Sequence, residues 1–227
     1  MTTREFTERL KRRCKRAGVV LSSELVVGLE GYYRLLEAWN AKINLTALDL
    51  EGGGDRAIDR LLVEPLVAAR HVERRDGSLI DIGSGGGSPA IPMKLALPAL
   101  DFTLVEAKTR KCAFLREAGR QLKIDLRVET SRYESLLARP ELHEAFDVLT
   151  MRAVRVEPRV LTGLQAFLKA GGQCLLFRGP AGAEVPATPT PPLFWQASHP
   201  LVESLQSRLV VLKKFDPAGP PSVSAAQ

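Results

Sequence analysis

Cysteine is scarce: Cys14, Cys112 and Cys174 are the only three in 227 residues, and they are far apart and form no C-x-x-C pair. Neither a disulfide framework nor a cysteine zinc site is suggested, and a reducing compartment suits them. Histidine is as rare. His71, His143 and His199 are dispersed, none makes a metal or triad spacing, and each reads as a surface or structural residue. Long apolar runs are missing too. No stretch of roughly 18 uncharged apolar residues occurs, and the charged N-terminus has no apolar stretch behind it. Neither a membrane span nor a secretory leader is expected, and the chain reads as cytoplasmic.

Apolar residues make up 45% of the chain and charged ones 26%, which is enough to fill the core of a globular protein. The length fits one α/β domain carrying an additional segment, with one main core. The formal net charge is +6, and such a balance favours an anionic partner without naming it. Arg4, Arg9, Lys11, Arg12, Arg13, Lys15 and Arg16 outnumber Glu5 and Glu8 near the N-terminus. That cluster either faces a polyanion or forms a solvated helix face.

Phe6, Leu10 and Cys14, then Leu25, Leu29, Tyr32, Tyr33, Leu36 and Trp39, recur at helical spacing, so residues 1–76 read as a helical segment packed on the core. Gly18 marks a helix stop and Ser22 or Ser23 a start. The run 51–55 is a flexible loop by composition, and a third helix is expected over 56–71. After Gly77 short apolar runs alternate with amphipathic ones, the pattern of a mostly parallel sheet with helices on both faces. Strands are expected at 79–83, 101–106, 125–129, 146–151 and 172–178, with helices at 89–97, 109–123, 131–138 and 156–169. Extended stretches near 193–198 and 208–215 suggest an antiparallel end to the sheet. The main domain is thus 77–215, and 216–227, rich in Pro, Ala and Ser, reads as a flexible tail.

In Leu79 to Ser88 a buried strand runs into consecutive glycines and then a helix. Glycine suits a strand-to-helix turn beneath a ligand, because the backbone angles are tight and no Cβ obstructs the approach. Glu106 falls at the end of the second expected strand, where a carboxylate accepts both hydroxyl protons of a ribose. The nicotinamide fingerprint G-x-G-x-x-G fails, since Ser88 stands where the third glycine belongs. No Tyr-x-x-x-Lys pair exists, because Leu36, Glu37 and Leu137 lie four positions after Tyr32, Tyr33 and Tyr133. A P-loop string is absent as well.

Trp39-Asn40-Ala41-Lys42-Ile43-Asn44-Leu45-Thr46, Asp81-Ile82-Gly83-Ser84-Gly85, Arg132-Tyr133-Glu134 and Phe146 to Ala153, in that order and spacing, resemble the RsmG (GidB) family. The resemblance covers about residues 20–215. It implies a class I, Rossmann-like fold and transfer of a methyl group from S-adenosylmethionine to N7 of a guanine in 16S rRNA of the small ribosomal subunit, by a monomer. It further implies that Gly83, Ser84, Gly85 and Ser88 hold the methionine part of the cofactor and Glu106 its ribose. Tyr133 and Glu134 would lie against the adenine, and Arg152 would reach cofactor or target base. Asn44 and Arg178 are the other implied catalytic positions, Arg178 standing where relatives usually carry lysine. Relatives usually read R-H-[IL]-L-D-S in the third helix, where this chain has Asp59-Arg60-Leu61-Leu62-Val63-Glu64; the histidine is replaced by Arg60.

The reaction's demands agree. No N-P-P-Y-like string and no cysteine stand near Met151-Arg152-Ala153, as amine and pyrimidine-C5 methylation would require. Guanine N7 presents a lone pair and carries no proton, so positioning suffices. A methyltransferase of another RNA or of a small molecule, and a non-catalytic RNA-binding relative, remain the alternatives.

Overall fold

The structure is a computed structural model, and it describes residues 1–50, 54–152, 157–180 and 191–218. Two helices open the chain. In α1 (Thr3–Arg16), Thr2 and Glu5 form a capping box, and Phe6, Leu10 and Cys14 make a single buried stripe. Ala17 and Gly18, the latter at φ 68°, end it. Ser22 accepts from the Leu25 amide to start α2 (Ser23–Ile43), whose Leu29, Tyr32, Tyr33 and Leu36 are fully buried. Apolar side chains at this spacing share one helix face, and that face forms the contact with the body of the protein.

The expected third helix is broken into α3 (Asp55–Ile58), a π-helical turn (Asp59–Val63) and α4 (Glu64–Ala69). Periodicity finds the buried side chains there but cannot show the wider turn. Of the loop expected at 51–55, residues 51–53 lie outside the described residues, and Asp55 already belongs to α3.

The remainder is a seven-stranded sheet of order β3-β2-β1-β4-β5-β7-β6. Its strands are β1 (Ser78–Ile82), β2 (Asp101–Glu106), β3 (Arg127–Thr130), β4 (Phe146–Arg152), β5 (Leu168–Arg178), β6 (Leu193–Pro200) and β7 (Arg208–Lys214). The first five run parallel, and β7 is antiparallel to both β5 and β6. Helices α5 (Ala90–Ala96), α6 (Thr109–Leu122), α7 (Tyr133–Leu136) and α8 (Pro158–Leu164) connect the parallel strands. Strand order reverses between β1 and β4, and such a switch point is where open α/β sheets bind ligands.

Two expected helices come out shorter. The one drawn at 131–138 is the single turn α7, because Pro140 offers no amide and restricts Arg139, so a separate 3-10 turn, Pro140–Leu142, follows. The one drawn at 156–169 stops at Leu164 with a 3-10 turn after it, and Leu168 already pairs with Phe146 in the sheet. Between Phe146 and Val148 the register shifts, and Gly171 takes φ 71° on the facing strand. Glycine is suited to that irregularity.

Side-chain alternation along the strands sorts the core into two layers. Leu79, Leu104, Val148, Leu175 and Phe177 join α1, α2, α4, α5 and α6 in one cluster. Ile80, Val105, Leu149, Met151 and Leu176 join Leu136, Leu161 and Leu164 in the other. The loop 181–190 and most of the expected tail, 219–227, lie outside the described residues.

Candidate active site

Gly83, Gly85 and Gly87 follow β1 at φ 75°, 53° and 84°, a conformation that costs other residues energy. The turn is tied to β2, because the amides of Gly83 and Ser84 both donate to the Val105 carbonyl, at 2.9 and 3.0 Å. Ser84 is buried and its hydroxyl donates to the Asp81 carbonyl. Glu106 ends β2 with a buried carboxylate whose oxygens accept separately, one from the Gly85 amide at 2.9 Å and one from the Lys108 amide at 2.8 Å. The acidic residue and the loop are therefore a single unit, as their spacing predicts.

Beneath the loop lies a group of charges. Asp81 is 1% exposed. One oxygen accepts from the Thr150 hydroxyl at 2.6 Å, whereas Oδ2 has no partner. Burial pushes its carboxyl above the ordinary value, against the Thr150 and Ser84 hydrogen bonds and the Arg152 charge. Arg152, ending β4, has a side chain only 9% exposed and donates from Nη1 to the Arg60 carbonyl and to Ser88 Oγ, both at 2.9 Å. Its Nη2 sits 2.8 Å from Glu64 Oε2, and its guanidinium carbon lies 4.8 Å from the centre of the Phe177 ring. Burial draws the Arg152 pKa down while Glu64 holds it up. Nε and Nη2 of Arg152 have no hydrogen-bond acceptor, so the Glu64 contact is ionic and off hydrogen-bond alignment.

The N-terminal helices close the other side. Tyr32 is fully buried and its hydroxyl donates to the Gly86 carbonyl at 2.6 Å; burial raises its pKa. A Cβ at Gly86 would stand 3.2 Å from Leu36 and 3.3 Å from the Leu45 carbonyl, so the W-N-x-x-x-N-L-T segment packs directly on the glycine loop. Within that segment Asn40 Oδ1 accepts from the amides of Leu45 and Thr46, at 2.6 and 2.8 Å.

A family model for GidB, rRNA small subunit methyltransferase G, matches residues 26–209. The chain belongs to this family. The ribosomal RNA small subunit methyltransferase G of Carboxydothermus hydrogenoformans is 35% identical over 165 residues, which cover 72% of this chain and 68% of that protein. The corresponding protein of Chloroflexus aggregans is 39% identical over 166 residues, 71% of this chain and 67% of its own. Among solved structures, a mutant of MtNAS in complex with S-adenosylmethionine shares the fold at TM-score 0.54 and 14% identity, over 83% of this chain and 72% of that one. TrmN from Thermus thermophilus does so at TM-score 0.52 and 17% identity, over 70% and 53%. The class I fold expected from the family motifs is the fold observed.

For this family member the structure brings Gly83, Ser84, Gly85, Ser88, Glu106 and Arg152 together at the switch point. Asn44 lies at its margin: it is exposed, caps α2 at φ 46°, and precedes the Leu45 that touches Gly86. Tyr133 and Glu134 open α7, Tyr133 half-buried against the second core layer and Glu134 exposed. Arg178 is divided from Arg152, because Phe177, paired with Arg152, shares its face, and alternation turns Arg178 to the other. Ala153 lies outside the described residues.

Motif reading missed Asp81, Thr150, Tyr32 and Glu64. Two of them carry a signal in hindsight, since Asp81 is a charge inside an apolar strand and Glu64 a charge on an apolar helix face. Although far apart in sequence, His71 and His199 meet, their rings stacked at 3.8 Å. Burial, then the neighbouring His199 and Arg70, hold the His71 pKa down. Among the described residues no group of three potential metal ligands forms, and no helix is long and apolar enough to cross a membrane.

Proposed function

We propose that this chain transfers a methyl group from S-adenosylmethionine to N7 of a guanine in 16S rRNA of the small ribosomal subunit. Family membership carries the reaction class and the substrate class. The single observation that best supports the finer reading is Arg152: a largely buried cation, with buried, oriented donors that no protein acceptor uses, ends β4 at the switch point.

The residues fit the cofactor. The Glu106 carboxylate is fixed by two backbone amides and keeps lone pairs for ribose hydroxyls, while positive-φ glycines keep the loop free of side chains. Gly83, Ser84, Gly85 and Ser88 would hold the methionine part, with Tyr133 and Glu134 against the adenine. When bound, S-adenosylmethionine supplies an electrophilic methyl on a sulfonium. The protein orients the base through Arg152 and Asn44, Arg178 being turned to the other face of the sheet, and excludes water with α2 and the third-helix region. No general base is required, because N7 has no proton to lose.

The cysteines speak against pyrimidine-C5 chemistry. Cys14 and Cys174 are buried and their thiols are pushed up to about 12, so neither is a ready thiolate. Cys112 donates to the Glu106 carbonyl. The basic face of α1, with Lys11, Lys15 and Arg16 exposed, is read as the RNA contact, and the protein as a cytoplasmic monomer.

The test uses small subunits from cells lacking this gene. Incubation with the protein and S-adenosylmethionine is expected to add one methyl group, recovered by mass spectrometry as N7-methylguanosine. Methylation elsewhere on the nucleotide would overturn the N7 assignment, and no methylation at all would overturn the substrate.

A further inference from the structure

We infer that Glu64 is a positioning residue, which together with Arg60 fixes the Arg152 guanidinium beneath the glycine loop. The inference rests on the reading that Arg152 belongs to the active site.

Glu64 is the first residue of α4, directly after the π-helical turn, and it is completely buried. A carboxylate removed from water is tolerated only where counter-charges replace its hydration. Here each oxygen faces one guanidinium. Oε1 accepts from Arg60 Nη1 at 2.7 Å, and Oε2 stands 2.8 Å from Arg152 Nη2. The three groups form a line, Arg60, Glu64, Arg152, with the anion in the middle.

That line holds Arg152 along one edge. The Arg60 carbonyl and Ser88 Oγ take Nη1, and the Phe177 ring covers one face. Contacts from these directions define the plane of the guanidinium, as a planar fork requires. What they leave over is Nε and part of Nη2, aimed but not hydrogen-bonded. Without the Glu64 charge, the partly exposed Arg60 and the largely buried Arg152 would be two neighbouring cations with no anion between them, and Arg152 would swing from that plane.

The experiment is a double-mutant cycle between Glu64→Gln and Arg152→Ala, read on kcat with small subunits and on affinity for S-adenosylhomocysteine by calorimetry. With Arg152 present, Glu64→Gln is expected to lower kcat about a hundredfold, the scale of a misplaced positioning group, and Glu64→Asp to recover part of it. In the Arg152→Ala background the same change should cost nothing further, whereas a merely structural residue would cost the same in both. Thermal stability should reverse in sign, falling on Glu64→Gln alone and rising when Arg152 is already gone. Arg60→Ala, at a partly exposed site, gives the same cycle should Glu64→Gln fail to fold. If wild-type protein leaves the rRNA unmethylated, the substrate reading falls and the cycle is read on affinity alone. Independent, multiplicative effects in both readouts, or unchanged kcat and affinity in Glu64→Gln, overturn the inference.

Discussion

At the residue scale the glycine loop is decided by backbone angle and by space, and its glycines are not equivalent. Gly87 combines φ 84° with a tight surrounding: a Cβ there would stand 2.5 Å from Ile91 Cδ1 and 3.3 Å from Leu115. Gly85, also at positive φ, would bring a Cβ no nearer than 3.7 Å, to the Gly83 carbonyl. Gly87→Ala should therefore cost about 1–3 kcal/mol of stability, the range for a strained backbone conformation, with the Ile91 displacement added. Gly85→Ala should cost less in denaturant unfolding, yet weaken S-adenosylhomocysteine binding, because its Cβ would enter the space kept for the cofactor. Equal unfolding costs for the two variants would show that Ile91 yields freely.

At the element scale, Asp147 stitches three strands together at the end of the sheet remote from the glycine loop. It accepts from the amide and hydroxyl of Ser78 on β1, at 2.9 and 3.0 Å, and from Lys169 on β5 at 2.8 Å. Burial works against its charge, but Lys169 and Ser78 outweigh it and hold its pKa below the ordinary 3.8. A depressed carboxylate contributes stability that is complete above the unfolded-state value and lost as pH falls through the folded one. Asp147→Asn should thus destabilise the protein by about 1–3 kcal/mol at neutral pH. In melting curves the gap between wild type and variant should close below about pH 3.8. A gap that persists at lower pH would mean that the side chain acts through shape and not charge.

The same scale shows what the sequence made legible. Strands β1, β2 and β4 announce themselves as short apolar runs, and the site at their ends follows from glycines and an acid at fixed spacing. Periodicity carries no information on the π-helical turn at Asp59–Val63 or on the early start of β5, since both depend on pairings made across the fold. Sidedness was hidden for a related reason. Arg152 and Arg178 each end a strand, and only the in-register pairing of Arg152 with Phe177 turns them to opposite faces. Glu64 and Tyr32 stayed out of view because their importance lies in partners 54 or more residues away, Gly86 for the tyrosine and Arg152 for the glutamate.

At the scale of the whole molecule, the question is how the N-terminal helices act on a site they do not themselves form. We read 1–76 as a segment folded onto 77–215, and one cluster of apolar side chains runs through both. Within 1–76, α1 is tied to the third-helix region by Arg13, which belongs to the basic cluster of α1 but is turned inward. It donates to both oxygens of Asp59, and to Asp55 Oδ2 at 2.7 Å and Ser204 at 3.2 Å. Asp59 is 1% exposed, so Arg13→Ala leaves a buried carboxylate without its counter-charge, a loss of about 3–5 kcal/mol. The pair Arg13→Asp with Asp59→Arg should recover part of it, which a contact of shape alone would not permit. Asp59 opens the π-helical turn and precedes Arg60, so the consequence should reach the site. Activity is expected to fall in Arg13→Ala even at temperatures where the protein remains folded, and to return with the exchanged pair. Full activity in folded Arg13→Ala would show that α1 stabilises the protein without steering the Arg60, Glu64 and Arg152 line.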